Sequence, residues 1–148
     1  AAALREHGAA HVVATDEEDL VARTMEITRG RGAYVAFDPV GGPYVETLAN
    51  ALRERGILFV YGGLSESATP YPHWPMAFKG CSMRGWVASE IWNHPHRFER
   101  AKETILAGLA GGRLKPVIAK QFSGLESLVE ANEYLESNQQ IGKVVVTF

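Results

Sequence analysis

The chain has 148 residues, of which 46% are hydrophobic and 22% charged, the make-up of one ordinary domain or of two closely packed lobes. That composition excludes disorder, collagen-like repeats and a disulfide-stapled miniprotein, and the longest apolar stretches, such as Leu58-Phe59-Val60-Tyr61, fall far short of the roughly 20 residues that span a bilayer. A formal net charge of -2 with both signs mixed along the chain advertises no nucleic-acid or membrane surface, and the single cysteine, Cys81, cannot make an internal disulfide and fits a cytoplasmic location.

The first residues, Ala1-Ala2-Ala3-Leu4-Arg5-Glu6-His7-Gly8, carry neither a basic leader with an apolar core nor an initiator methionine. They read as the last turns of a helix stopped by Gly8, as expected of a chain that begins inside a larger fold. A short apolar run at residues 11–15 is predicted as a strand. The acidic string Asp16-Glu17-Glu18-Asp19 then opens a helix whose face is Leu20, Val21, Thr24, Met25 and Thr28. Gly30 and Gly32 end that helix. Tyr34-Val35-Ala36-Phe37 is a second strand, closed by the turn-forming Asp38-Pro39-Val40-Gly41-Gly42-Pro43.

From Tyr44 the residues Val45, Leu48, Ala49 and Leu52 recur at helical spacing, which predicts a helix as far as Gly56. Residues 57–61 follow as a strand ending at Gly62-Gly63. The Pro- and aromatic-rich stretch 70–75 allows a short helix through Lys79, and residues 82–87 read as another strand. Phe98, Ala101, Ile105, Leu106 and Leu109 mark a long amphipathic helix ending at Gly111-Gly112. Residues 117–122 are strand-like, Ser123 and Glu126 suggest a capping box for a helix with face Leu125, Leu128, Val129, Asn132 and Leu135, and Lys143 to Phe148 closes the chain as a strand.

Nearly all-apolar strands alternating with amphipathic helices predict an α/β protein with a parallel sheet covered on both faces. Ligands of such sheets bind outside the carboxyl ends of the strands, which directs attention to residues 38–43 and 62–67. Gly41-Gly42 and Gly62-Gly63 there either let a backbone approach a ligand or simply form tight turns.

Several motifs are missing. Gly30-Arg31-Gly32 enters a strand rather than a helix, so no G-x-G-x-x-G fingerprint exists, and neither a P-loop nor a G-x-S-x-G elbow occurs. His94-Pro95-His96 and Cys81 lack a clustered third ligand, and no metal is assigned. Tyr61, Ser65 and His73 have no sequence partner that would activate them, so no catalytic residue is assigned. Trp74, Trp86 and Trp92 could stack on a ligand ring or fill a core, and Lys79, Arg84 and Lys143 are isolated cations that could meet a phosphate but read by default as solvated surface.

In order, the strings Gly8-Ala9-Ala10-His11-Val12-Val13, Phe37-Asp38-Pro39-Val40-Gly41-Gly42, Phe59-Val60-Tyr61-Gly62-Gly63-Leu64-Ser65 and Glu136-Ser137-Asn138-Gln139-Gln140-Ile141-Gly142-Lys143-Val144-Val145-Val146 resemble the C-terminal half of the medium-chain dehydrogenase/reductases. The chain is most similar to their zinc-free NADPH:quinone oxidoreductase branch. The resemblance implies a partial Rossmann-like doubly wound sheet lacking its first two strands over residues 1–89. Residues 90–148 would be a C-terminal α/β segment of the catalytic domain, packing back onto the catalytic lobe.

It also implies NADP(H) as cofactor, with Val40 beside the dinucleotide and Tyr61, Gly62, Gly63, Leu64 and Ser65 along the nicotinamide-ribose side. Gly85, Trp86 and Val87 would touch the nicotinamide end, and Asn138 and Gln140 would reach back to the cofactor. The parent enzyme would pass a hydride to a quinone or activated carbonyl and pair as a homodimer through the strand around residues 83–88. This stretch, without the glycine-rich loop, is expected to be inactive alone; the alternative is a non-catalytic nucleotide-binding or dimerisation module. In the 3-2-1-4-5-6 order of such folds, residues 11–15 would be strand three and the runs at Tyr34, Ile57 and Met83 strands four to six. Strands four to six would form a half-sheet with the C-terminal segment.

Overall fold

A computed structural model describes residues 2–148 and divides into two compact units, Ala1–Glu90 and Ile91–Phe148. The first unit opens with helix α1 (Ala2–Glu6), ended by Gly8 at φ 97°. Helix α2 (Leu20–Ile27) follows, with Asp19 as its N-cap: the carboxylate accepts the Ala22 N–H at 2.7 Å, supplying a partner that the first helical turn lacks. Strand β1 (Ala33–Asp38), helix α3 (Val45–Ala51), strand β2 (Leu52–Val60), helix α4 (His73–Lys79) and strand β3 (Ser82–Gly85) then alternate. The strands form one parallel sheet in the order β1-β2-β3.

This is the expected α/β order, with the runs at Tyr34, Ile57 and Met83 lying side by side. Its core gathers Val45 and Ala49 of α3, Leu52 and Leu58 of β2, Met76 of α4, and Cys81. Burying a side chain such as Leu58, which is fully enclosed, stabilises the fold by about 1.5–3 kcal/mol. Ala36, Val60 and Met83 face the same core from the sheet.

Four expectations about the sheet and its flanking helices change. Residues 11–15 form no strand, because none of the described strands runs beside them to share a hydrogen-bond ladder. The helix expected to reach Gly56 stops at Ala51: Leu52 turns to an extended conformation (φ -70°, ψ 150°) and pairs with Ala33, and pairing resumes only at Val35 and Ile57. Residues 53–56 bulge out between those pairs, with Arg55 at φ 57°. Cover on both faces is found on one only within this unit. α3 and α4 pack against each other over one shared core, and α2 packs against α3. Finally, the C-terminal strands join no half-sheet with β1–β3; they pair with each other.

In the second unit, after the short helix α5 (Ser89–Trp92), helix α6 (Pro95–Ala110) begins with proline, whose missing N–H costs nothing in a first turn. It ends at Gly111, followed by Gly112 at φ 66°. Strands β4 (Ile118–Ser123) and β5 (Lys143–Thr147) are parallel and are linked through helix α7 (Leu128–Glu136). The Ser123–Glu126 capping box does not form. Ser123 stays in β4, its Oγ 3.4 Å from Thr147 Oγ1, and Gly124 at φ 79° with a 3-10 turn over Leu125–Ser127 separates it from α7. No described helix is long and apolar enough to cross a membrane.

Candidate functional site

The carboxyl ends of β1, β2 and β3 bring two glycine-bearing loops together. β1 ends at Asp38, which is only 4% exposed. Its carboxylate turns back on its own loop, accepting the Val40 N–H at 2.9 Å and the Gly41 N–H at 3.1 Å. Such Asx geometry closes a turn without a longer chain reversal.

The loop after β2 locks onto this turn. Tyr61 N–H donates to Asp38 O at 3.0 Å, Ser65 N–H to Val40 O at 2.9 Å, and Gly42 N–H to Thr69 Oγ1 at 2.8 Å. The glycines here are set by contact as well as by φ. A Cβ on Gly62 would stand 2.0 Å from Pro39 O, and one on Gly42, at φ 71°, would stand 2.2 Å from Ser65 Oγ. Gly63 and Gly85 differ: a Cβ there would meet nothing within 4 Å, so their backbone lies open. These two positions leave room for a flat group to lie against the main chain.

Val40, Tyr61, Gly62, Gly63, Leu64, Ser65, Gly85, Trp86 and Val87 therefore share one end of the sheet. Trp86 follows β3 rather than lying within it, and its N–H reaches Val60 O at 3.0 Å. Its ring meets Tyr61 edge-on, centroids 6.4 Å apart. Leu64 is 77% exposed, a large apolar side chain without cover. Asn138 and Gln140 belong to the second unit. Asn138 takes φ 54°, and Gln140 donates through Nε2 to Leu135 O at 3.1 Å while its buried Oε1 has no partner.

Sequence reasoning missed the sheet face beside this rim. Phe37, Phe59 and Arg84 occupy one rung across the three strands, and with Tyr61, Trp86 and Glu90 they line a cavity of about 440 Å³. Phe37 and Phe59 stack with centroids 5.4 Å apart, and Arg84 lies 5.9 Å over the Phe59 ring. Arg84 stays exposed, as expected, and pairs with Glu90 at 2.8 Å. The signal was the alternation of two residues along each strand, which acquires meaning only once the register between strands is known. Lys79 is also no free cation. Its Nζ donates to the carbonyls of Asn50 (2.7 Å), Leu52 (2.9 Å) and Ala49 (3.4 Å), capping the end of α3.

Among the described residues no group of three or more His, Cys, Asp or Glu side chains gathers as a metal site. The strand ends suit a dinucleotide better: bare backbone at Gly63 and Gly85, an aromatic wall at Tyr61 and Trp86, and a rigid pair of loops.

The family described as zinc-binding dehydrogenase matches residues 7–146. Quinone oxidoreductase 1 of Escherichia coli strain K12 is 29% identical over 142 residues, covering 91% of this chain and 42% of the relative. The crystal structure of Escherichia coli quinone oxidoreductase complexed with NADPH superposes with a TM-score of 0.85 at 25% identity, over 99% of this chain and 46% of that one. A quinone oxidoreductase from Pseudomonas syringae has the same fold, with a TM-score of 0.87 at 22% identity over 100% of this chain and 46% of that one. The chain thus spans less than half the length of these relatives.

Proposed function

This chain belongs to the zinc-binding dehydrogenase family, and from that membership we propose that it provides the nicotinamide side of the cofactor site of an NADPH-dependent oxidoreductase. The observation that carries the reading is the locked pair of loops at the strand ends, with Gly63 and Gly85 left open beside Tyr61 and Trp86. NADPH supplies the hydride, delivered to a quinone or similar activated carbonyl. Val40, Tyr61, Gly62, Gly63, Leu64 and Ser65 line the ribose side of the site, and Gly85, Trp86 and Val87 its nicotinamide end. Asn138 and Gln140 are assigned contact with the cofactor, and the unpartnered Gln140 Oε1 is an acceptor available for that purpose.

The reading assigns no metal ligand to these residues. The chain also contains no G-x-G-x-x-G loop to grip the pyrophosphate. We therefore assign it cofactor contact without turnover, within a cytoplasmic enzyme of greater length. Residues 1–89 act as an incomplete dinucleotide-binding domain and residues 90–148 as the segment that packs back onto the catalytic lobe. Among the described strands β3 pairs only with β2, so its outer edge is open, which supports homodimer pairing around residues 83–88.

Calorimetric titration with NADPH tests the reading. We expect saturable binding that Gly85→Val weakens at least tenfold by filling the open backbone. A folded protein that yields no heat, or a Gly85→Val variant that binds as the parent does, refutes it. Light scattering coupled to gel filtration tests the dimer, and a clean monomer rejects it.

A further inference from the structure

At the opposite end of the sheet, both helix-to-strand turns carry the same short pattern. Arg29-Gly30-Arg31-Gly32 enters β1, and Arg53-Glu54-Arg55-Gly56 leads into the regular part of β2. Because β1 and β2 are parallel neighbours, four arginines start side by side at one sheet edge. The turns are in contact: a Cβ on Gly32 would stand 2.7 Å from Arg53 N, and one on Gly56 would stand 3.2 Å from Ala33 O, directly after the first turn.

Between the turns lies a depression of about 490 Å³ lined by Gly30, Arg31, Arg53, Glu54 and Arg55, with Arg29 adjacent in sequence. Glu54 is the single carboxylate in the lining. No ion pair neutralises any of the four guanidinium groups among the described residues. Arg31 uses only Nε, donating to Thr28 O at 3.1 Å, which leaves its two terminal nitrogens unengaged. The Arg53 guanidinium lies over the Tyr34 ring, 4.1 Å from its centroid, and is thereby oriented.

The backbone adds a second observation. Arg29 (φ 54°) and Arg55 (φ 57°) both occupy the left-handed region, where glycine is the low-cost residue, and each directly precedes a glycine. The chain thus carries arginine at two positions where backbone energetics favours its neighbour's type. Concentrated like charge and unfavourable backbone geometry both oppose folding unless an anion uses them.

We propose that this edge binds the oligophosphate group of a small molecule. Planar guanidinium forks meet phosphate oxygens in paired hydrogen bonds, and an anion of several charges matches four cations better than a monovalent one. The site lies at the amino ends of the strands, away from the proposed nicotinamide contacts at their carboxyl ends, and does not depend on them.

The test is titration of the chain with tripolyphosphate, ATP, AMP and sulfate, followed by calorimetry and by the amide resonances of Gly30, Gly32 and Gly56. Tripolyphosphate and ATP are expected to bind saturably, at least about tenfold tighter than AMP or sulfate, and to weaken steeply as salt rises from about 50 to 200 mM. Equal affinity for the first two assigns the site to the phosphates alone, and tighter ATP binding adds a contact to the nucleoside. Arg31→Gln combined with Arg55→Gln should reduce affinity at least about tenfold, while Arg113→Gln in the second unit leaves it unchanged. Arg55→Gly controls for folding: it frees the left-handed position, so it should melt no lower than the parent yet bind more weakly. Absence of saturable binding, or binding that these arginine variants leave intact, overturns the proposal. NADPH titration of the same variants keeps the two sites apart, because loss of oligophosphate binding with NADPH binding retained affects only this one.

Discussion

Replacing Gly62 by alanine places a methyl carbon 2.0 Å from Pro39 O and 2.8 Å from Pro39 C, both backbone atoms. Real Cβ contacts essentially never fall below 3.0 Å, so the two loops must separate by about 1 Å. That movement stretches the bonds that join them, Tyr61 N–H to Asp38 O at 3.0 Å and Ser65 N–H to Val40 O at 2.9 Å. Overpacking of this kind costs about 1–3 kcal/mol, and each weakened bond adds about 0.5–1.5 kcal/mol. Part of the damage relaxes into solvent, because Tyr61 and Leu64 are exposed, and we expect Gly62→Ala to cost about 2–4 kcal/mol in total.

The control is one residue away. Gly63 has nothing within 4 Å of an added Cβ, so Gly63→Ala should stay within about 0.5 kcal/mol of the parent. Urea denaturation followed by tryptophan fluorescence and far-ultraviolet circular dichroism measures both variants. Trp74 and Trp86 report on the first unit and Trp92 on the second, so coincidence of the two probes should be checked before one free energy is quoted. If Gly62→Ala and Gly63→Ala unfold at the same denaturant concentration, the loops are not locked as described, and the argument for a preformed strand-end site fails with them.

Asp38→Ala should destabilise the first unit by about 2 kcal/mol, because two backbone N–H groups lose a charged acceptor in a shielded turn; Asp38→Asn, which keeps one acceptor oxygen, should cost about half as much. Thermal unfolding of the two variants checks the order, and equal losses would show that the turn depends on the charge rather than on acceptor geometry. Lys79→Met retains the aliphatic stem but removes the cation from three carbonyls at the end of α3, for an expected loss of about 1–2 kcal/mol. Amide exchange should then accelerate at the C-terminal turn of α3 before it does in β2, and a uniform acceleration would contradict the capping role.

The run at residues 11–15 has a strand's composition yet is not one, whereas the similar run Tyr34-Val35-Ala36-Phe37 is. The difference is the neighbour: β1 has β2 alongside it, and the earlier run has no described strand beside it. Leu52 likewise continues the helical spacing of α3, but its pairing with Ala33 outweighs that periodicity. Ser123 could cap a helix by residue type, yet its place in β4 opposite Thr147 turns its hydroxyl elsewhere. In each case a local preference of about 1 kcal/mol yields to a tertiary hydrogen bond or to burial.

By itself, the sequence determined the α/β alternation and the strand-end loops, because apolar periodicity, glycine and proline act over a few residues. It also carried the family in the order of four short strings. Only the tertiary structure decided that Lys79 caps α3 and that Phe37, Phe59 and Arg84 share one rung. It alone brought two R-x-R-G turns to one sheet edge. These features depend on the register and proximity of residues about 20 to 50 positions apart in sequence, and a one-residue slip of either strand would have sent each side chain to the other face.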